Sequence, residues 1–357
     1  AASYVDNLFR SENDEKSTWI MEIAPRVQAW IQDGNNTYVL AYKLVDSTYA
    51  SSHSDDFTDH LLNLDVHHEF DARNVLNLFG EFYDGHEVRG TGLSEGLLAR
   101  LIDEPVEYER ATAGGDYTYG NRNSRGRIQL AARTDSYDYQ NFRDFTQYRD
   151  YRADTYGGTF FWKVGNRTDA LVEVRAIDTE YDKTDPSQTA GSWDSDEMNY
   201  MVGLAWDATA KTTGSVRVGM FDRQYDSRAR SDDDGFHWEV DLTWKPRTYS
   251  HVVFETRRRS QETNGVGDYI DTQEYELAWE HKWNLRANTR FGILVAADDY
   301  SGARRNDDRY QLEASYRHEL QRWFDVGVGY RYEDRDSNLP TLDYQQNLFF
   351  VEAYLSL

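Results

Sequence analysis

The chain has 357 residues, no cysteine, 5 prolines and a formal net charge of -24. Absent cysteine excludes a disulfide scaffold and a thiolate metal site, and the acidic balance excludes a nucleic-acid partner, which would require basic patches. Mean hydropathy is -0.83 and no apolar run approaches the roughly 18 residues of a transmembrane helix, yet tyrosine (26), phenylalanine (16) and tryptophan (10) are plentiful. Disordered chains are poor in aromatics, which leaves a wide membrane barrel, where every second residue meets lipid, or a large soluble β-protein.

The opening AASYVDNLF fits a mature end left by cleavage after small residues, and Ser3–Arg10 reads as the first strand. Tight turns follow at DGNN (Asp33–Asn36), DARN (Asp71–Asn74), NRNS (Asn121–Ser124) and GNRT (Gly165–Thr168). Four more fall at TAKT (Thr209–Thr212), KPRT (Lys245–Thr248), NLRAN (Asn284–Asn288) and ELQRW (Glu319–Trp323). Nine longer polar segments separate them: Ser11–Ser17, Ser47–Phe57, His86–Val106, Ser136–Asp150, Asp182–Asp196, Tyr225–Asp234, Arg259–Tyr269, Asp299–Asp308 and Asp334–Tyr344. Short turns alternating with long loops predict about 18 strands, an even number, closed by the last strand, Asp343–Leu357, against the first.

Period-two alternation runs along the strands. Phe236, Trp238, Val240, Leu242 and Trp244 oppose His237, Glu239, Asp241, Thr243 and Lys245. Phe324, Val326, Val328 and Tyr330 oppose Asp325, Gly327, Gly329 and Arg331, and Phe349, Val351, Ala353 and Leu355 oppose Phe350, Glu352 and Tyr354. The apolar face is aromatic at its ends and aliphatic in its middle, the order that two membrane interfaces impose. The other face carries charge in mid-strand, as a wet lumen allows. The fold class is therefore all-β: one transmembrane antiparallel up-and-down barrel, with short periplasmic turns and long extracellular loops, occupying residues 1–357 as a single domain.

By parity the lumen-facing set contains Arg110, Arg127, Arg133, Arg175, Arg217, Arg257, Arg317 and Arg331, interleaved with Glu81, Asp116, Glu173, Glu239, Asp241, Glu313 and Glu333. Such a set can brace the wall through cross-strand ion pairs, or offer carboxylates and sugar hydroxyls a polar path; the two roles are compatible. No GxSxG, HExxH or P-loop motif is present, so no catalytic residue is expected. Histidines are scattered, and adjacent His67 and His68 point to opposite faces, so no metal site is expected. Acidic loops (SSHSDDFTDH, DKTDPSQTAGSWDSDE, RSDDDG and RRNDD) hold oxygen ligands of the kind Ca²⁺ takes, without the spacing of an EF-hand; solvated loops beside lipopolysaccharide are the plainer reading. The longest loop alone contains a helix-like apolar run. Leu93, Leu97, Leu98 and Leu101 fall on one helical face, so this loop is expected to fold into or across the channel as its constriction.

Three stretches resemble a family of β-barrel porins encoded with bacterial exopolysaccharide secretion systems. They are YVDNLFRSENDEKSTWI (Tyr4–Ile20), HEVRGTGLSEG (His86–Gly96) followed by DEP (Asp103–Pro105), and GYRYEDRDSNLPTLDYQQN (Gly329–Asn347). The last residue, Leu357, departs from the aromatic end usual in such barrels. The resemblance implies a conduit in the bacterial outer membrane linked to polysaccharide export, with lipid, lipopolysaccharide, polysaccharide or a small hydrophilic solute and a periplasmic export partner as its contacts. A general or solute-specific uptake porin, and a shut barrel serving as surface scaffold or adhesin, are the alternatives.

Overall fold

The computed structural model describes residues 1–356 except Asp14, Leu97, Gln188 and Ala210; the expectations at Leu97 and Leu357 lie outside the described residues. In chain order the strands are β1 (Ala2–Val5), β2 (Thr18–Ile23), β3 (Arg26–Asp33), β4 (Asn36–Tyr49), β5 (Phe57–Asp71), β6 (Asn74–His86), β7 (Glu107–Tyr119), β8 (Gly126–Tyr139), β9 (Tyr151–Gly165) and β10 (Thr168–Tyr181). The second half continues with β11 (Ser195–Thr209), β12 (Thr212–Tyr225), β13 (Asp233–Arg247), β14 (Ser250–Glu262), β15 (Tyr269–Lys282), β16 (Ala287–Tyr300), β17 (Asn306–Gln321), β18 (Phe324–Ser337) and β19 (Tyr344–Leu355). Segments β2 and β3 pair with β4 in one unbroken register, from Ile23↔Asp46 to Arg26↔Lys43. Pro25 between them has no N–H for the ladder, although its carbonyl still accepts from the Leu44 amide at 3.1 Å. The 19 segments therefore make an 18-stave antiparallel ring.

Each stave pairs with its sequence neighbours, and β1 closes the ring, against β19 from Ala2↔Val351 to Val5↔Leu348 and against β2 from Ala2↔Met21 to Val5↔Thr18. The first strand is shorter than the expected Ser3–Arg10. Asn7 ends it: its side chain donates to the Ser11 and Gln345 carbonyls and accepts from the Ser11 amide, and Arg10 sits at φ 48°. Other strands overrun the ten residues that hydrocarbon alone requires, reaching 16 residues in β17. Tyr137 and Tyr139, expected in a loop, end β8 and stack with Tyr108 and Tyr151 above the membrane belt.

The convex face is the apolar one: Leu62, Val172, Val202, Leu277, Ile293, Leu312, Val328 and Val351 are all exposed on it. A barrel puts the core of a soluble protein inside out, since lipid replaces a packed partner. The packed cluster lies instead at the long-loop end, where Leu93, Ile102 and Val106 of the β6–β7 loop bury against Tyr108 and Tyr139.

Candidate functional site: the inner wall and its roof

Following the pairing from stave to stave, one row of side chains passes from Asn63 to Glu81 to Thr112 to Asp135, and the equivalent rows place every predicted arginine and carboxylate on a single face. That face is the concave one. Arg175 on β10 meets Glu239 on β13 at 3.3 Å, and Tyr181 on β10 donates to Glu262 on β14 at 2.7 Å. Staves stand about 4.8 Å apart, so side chains can converge over two or three intervening staves only toward the inside.

On this face the charges pair. Arg110 bonds Glu81, Arg127 bonds Asp169 at 2.8 Å, and Arg133 bonds Asp135 at 2.6 Å. Arg331 bonds Glu313 at 2.8 Å, while Glu333 takes Arg10 at 3.0 Å. The densest network joins β10, β12 and β13. Glu173 lies between Arg175 at 2.5 Å and Arg217 at 3.3 Å; Arg217 also reaches Glu239 at 3.5 Å and Asp241 at 3.9 Å. Arg257 bonds Glu255 at 2.6 Å with Glu274 at 3.6 Å. Asp116 accepts from Asn77 and Gln129. Arg317 stacks 3.8 Å over the Tyr354 ring and helps line a cavity of about 800 Å³ at the short-turn end, with Lys282, Asn288, Glu319 and Asp325.

The loop from Glu87 to Val106 departs from the expected helix. Gly96 at φ 63° breaks it, leaving a 3-10 turn at Gly92–Ser94 and a single α-turn at Leu98–Leu101. Leu93, Ala99, Ile102 and Val106 are among the loop's buried side chains, whereas Leu98 and Leu101 are exposed, Leu101 at 74%. The loop nonetheless spans the mouth. Glu95 accepts from Arg305 at 2.6 and 2.8 Å, from Arg335 at 2.6 Å and from Asn264. Asn264 lies in the β14–β15 loop and Arg305 in the β16–β17 loop; by the shorter way round, β7 to β14 separate Glu95 from the first, and eight staves separate it from the second. Burial works to lower the Arg305 pKa, but Glu95 and Asp307 overcome it and hold the guanidinium firmly charged. At the root of the loop Glu87 accepts from Tyr139 Oη at 2.8 Å and from the Leu93 amide at 2.7 Å. Burial pushes its carboxyl up to about 7 against the pull of those two bonds.

A second knot completes the roof. Trp193, 1% exposed, lies between the guanidinium groups of Arg149 at 3.9 Å and Arg230 at 4.1 Å, and its Nε1 donates to the Gly267 carbonyl at 3.1 Å. Arg230 also bonds Asp268 and the Gly191 and Ser192 carbonyls. Four loops thus meet at one indole. Nearby, carboxylate oxygens of Asp138, Asp150 and Asp182 lie within 4.8 Å of one another, but Asp150 is already taken by Arg143 and the Tyr139 amide.

A family model described as "Putative beta-barrel porin 2" matches residues 1–356. The chain belongs to that family. This porin-family barrel accordingly resides in the bacterial outer membrane. No curated protein matches it by sequence. Among solved structures it is similar to the FrpB iron transporter from Neisseria meningitidis (9% identity, 94% of this chain and 62% of that one, TM-score 0.49). It is similar also to the ferric citrate transporter FecA (11%, 94% and 59%, 0.48) and to Pseudomonas aeruginosa OpdL (11%, 99% and 95%, 0.47). The chain spans about three fifths of the length of FrpB and FecA.

Proposed function

We propose that this barrel is a gated outer-membrane channel for a hydrophilic polymer or solute, that its cargo is exopolysaccharide leaving the cell, and that the Glu87–Val106 loop is its gate. The observation that carries the reading is the inner wall: charged along its height, yet with most arginines neutralised by a neighbouring carboxylate. A wall of paired charges offers hydrogen bonds in both senses without a strong net field, which suits an uncharged, hydroxyl-rich cargo better than a selected ion. The roof supports gating, because one carboxylate, Glu95, holds the spanning loop to the far rim. A periplasmic export partner would meet the short turns.

The test is single-channel recording in planar bilayers. The intact protein should show small, infrequent openings, and deletion of Gly92–Asp103 should give large stable ones with the barrel still folded. A folded deletion variant that carries no current would replace the channel with the scaffold reading.

A further inference from the structure

The geometry points to a binding site on the inner wall, just below the roof, for a single neutral pyranose-sized polyhydroxyl unit, centred on Asn199, His237 and Arg259. It names the cargo of the proposed channel and rests on that reading. A cavity of about 270 Å³ opens here between β10, β11, β13 and β14. Asn199 is 1% exposed and His237 5%. The Asn199 amide nitrogen is used, donating to Glu197 at 2.8 Å, but its Oδ1 has no hydrogen-bond partner, and neither has His237 Nε2. Both residues line the same cavity. Arg259, also in the lining, is exposed and forms no ion pair among the described residues.

Buried polar atoms without partners are rare in folded proteins and mark a place where something else completes them. The donor and acceptor chemistry narrows what that is. Asn199 Oδ1 can only accept and the Arg259 guanidinium can only donate, so the ligand must offer both senses within a few ångströms. Adjacent hydroxyls do so; a carboxylate or an ammonium offers one alone. Charge points the same way. Arg175, Arg257 and Arg259 in the lining face Glu197, Glu239 and Asp241, three against three, so neither sign of ion is drawn in, and each would meet like charge. Ile177 is the sole apolar side chain of the lining, which excludes a greasy ligand. The volume falls just under the roughly 300–1,000 Å³ of sites for drug-sized molecules, room for one ring rather than a folded chain. A polymer passing this wall would present one unit at a time.

Saturation-transfer NMR on the full chain in detergent tests the site, with glucose as the neutral probe and glucuronate as the charged one. Transfer to the glucose ring protons should exceed transfer to glucuronate. It should fall about fivefold in Asn199→Leu, the loss of roughly one hydrogen bond. Arg259 is exposed, so Arg259→Gln keeps the fold secure and should weaken glucose similarly. No transfer to the folded wild-type chain, which means water alone fills the cavity, would overturn the proposal, as would unchanged transfer in both variants or a preference for glucuronate. Conductance separates the two readings. A protein that conducts but takes up no glucose loses the site and keeps the channel; one that binds glucose but never conducts loses the channel.

Discussion

Glu95 and Arg305 meet at 2.6 and 2.8 Å although 210 residues separate them and their loops stand on nearly opposite sides of the ring. Arg305 is only 2% exposed on its side chain, so its charge depends on Glu95 and Asp307. Removing one partner of a buried pair costs about 3–5 kcal/mol. In Glu95→Ala, Asp307 remains for Arg305, but buried Arg335 loses its one carboxylate among the described residues, so the cost should fall within that range. We expect the cost to appear as local opening: higher open probability in bilayers, with the barrel's thermal transition little changed. A variant that conducts like the wild type would show that the latch does not hold the roof.

Glu87 should make that opening depend on pH. Its carboxyl is raised by burial to about 7 from an ordinary value near 4.5. A group with a raised folded-state pKa contributes stability that is full below its unfolded value and is lost as pH rises through the folded one. The loop root should therefore loosen progressively between about pH 4.5 and pH 7, as Glu87 ionises facing Tyr139, Glu95 and His86. Open probability should rise over that interval, and Glu87→Gln, which keeps the shape and cannot ionise, should flatten the profile. An identical pH response in the variant would assign the effect elsewhere.

Parity along the strands makes a prediction about the wall. Val240 on β13 pairs with Val216 and Thr256 on the convex face, while Asp241 pairs with Ser215 and Glu255 inside. Arginine at Val240 near the midplane should cost about 2–4 kcal/mol; arginine at Asp241 should cost less, because the lumen is wet. Unfolding in urea from lipid vesicles measures both. Gly329, opposite the lipid-facing Val328, cannot serve as the same control, since a Cβ there would lie 2.1 Å from the Phe350 ring.

How much of this was legible in the sequence follows from which interactions are local. The number of turns and loops and the facing of Val240 or Glu239 come from period-two alternation and turn chemistry, which neighbouring residues determine. Strand ends were less legible: above the membrane both faces are wet or roofed, so alternation no longer reports a lipid side, and Tyr137–Tyr139 read as loop. The β6–β7 loop was half legible. The leucine spacing suggested a helix, but Gly96 at φ 63° interrupts it and turns Leu101 outward. Glu95 and Trp193 carry no local signal, because their partners come from loops distant in the chain, and Asn199 and His237 carry none because only the curvature of the wall brings them to one cavity.

Trp193 offers the sharpest test of the roof as a unit. It is packed by Tyr181 at 5.8 Å between ring centroids, sandwiched by Arg149 and Arg230 and hydrogen-bonded to the β14–β15 loop. Arg149 has no carboxylate among the described residues; burial lowers its pKa, and Nη1 has no hydrogen-bond partner, so the indole face is its principal contact. Trp193→Ala should therefore remove a large buried side chain and strand a buried cation together, at about 3–5 kcal/mol for the truncation alone. The loss should stay in the loops, because the strand ladders do not pass through Trp193. Limited proteolysis of cells should then cut the variant within 182–194 and 226–232 and spare the wild-type chain there, while both keep a folded barrel on unheated gels. Unchanged resistance in the variant would mean that the four loops are held without their shared indole.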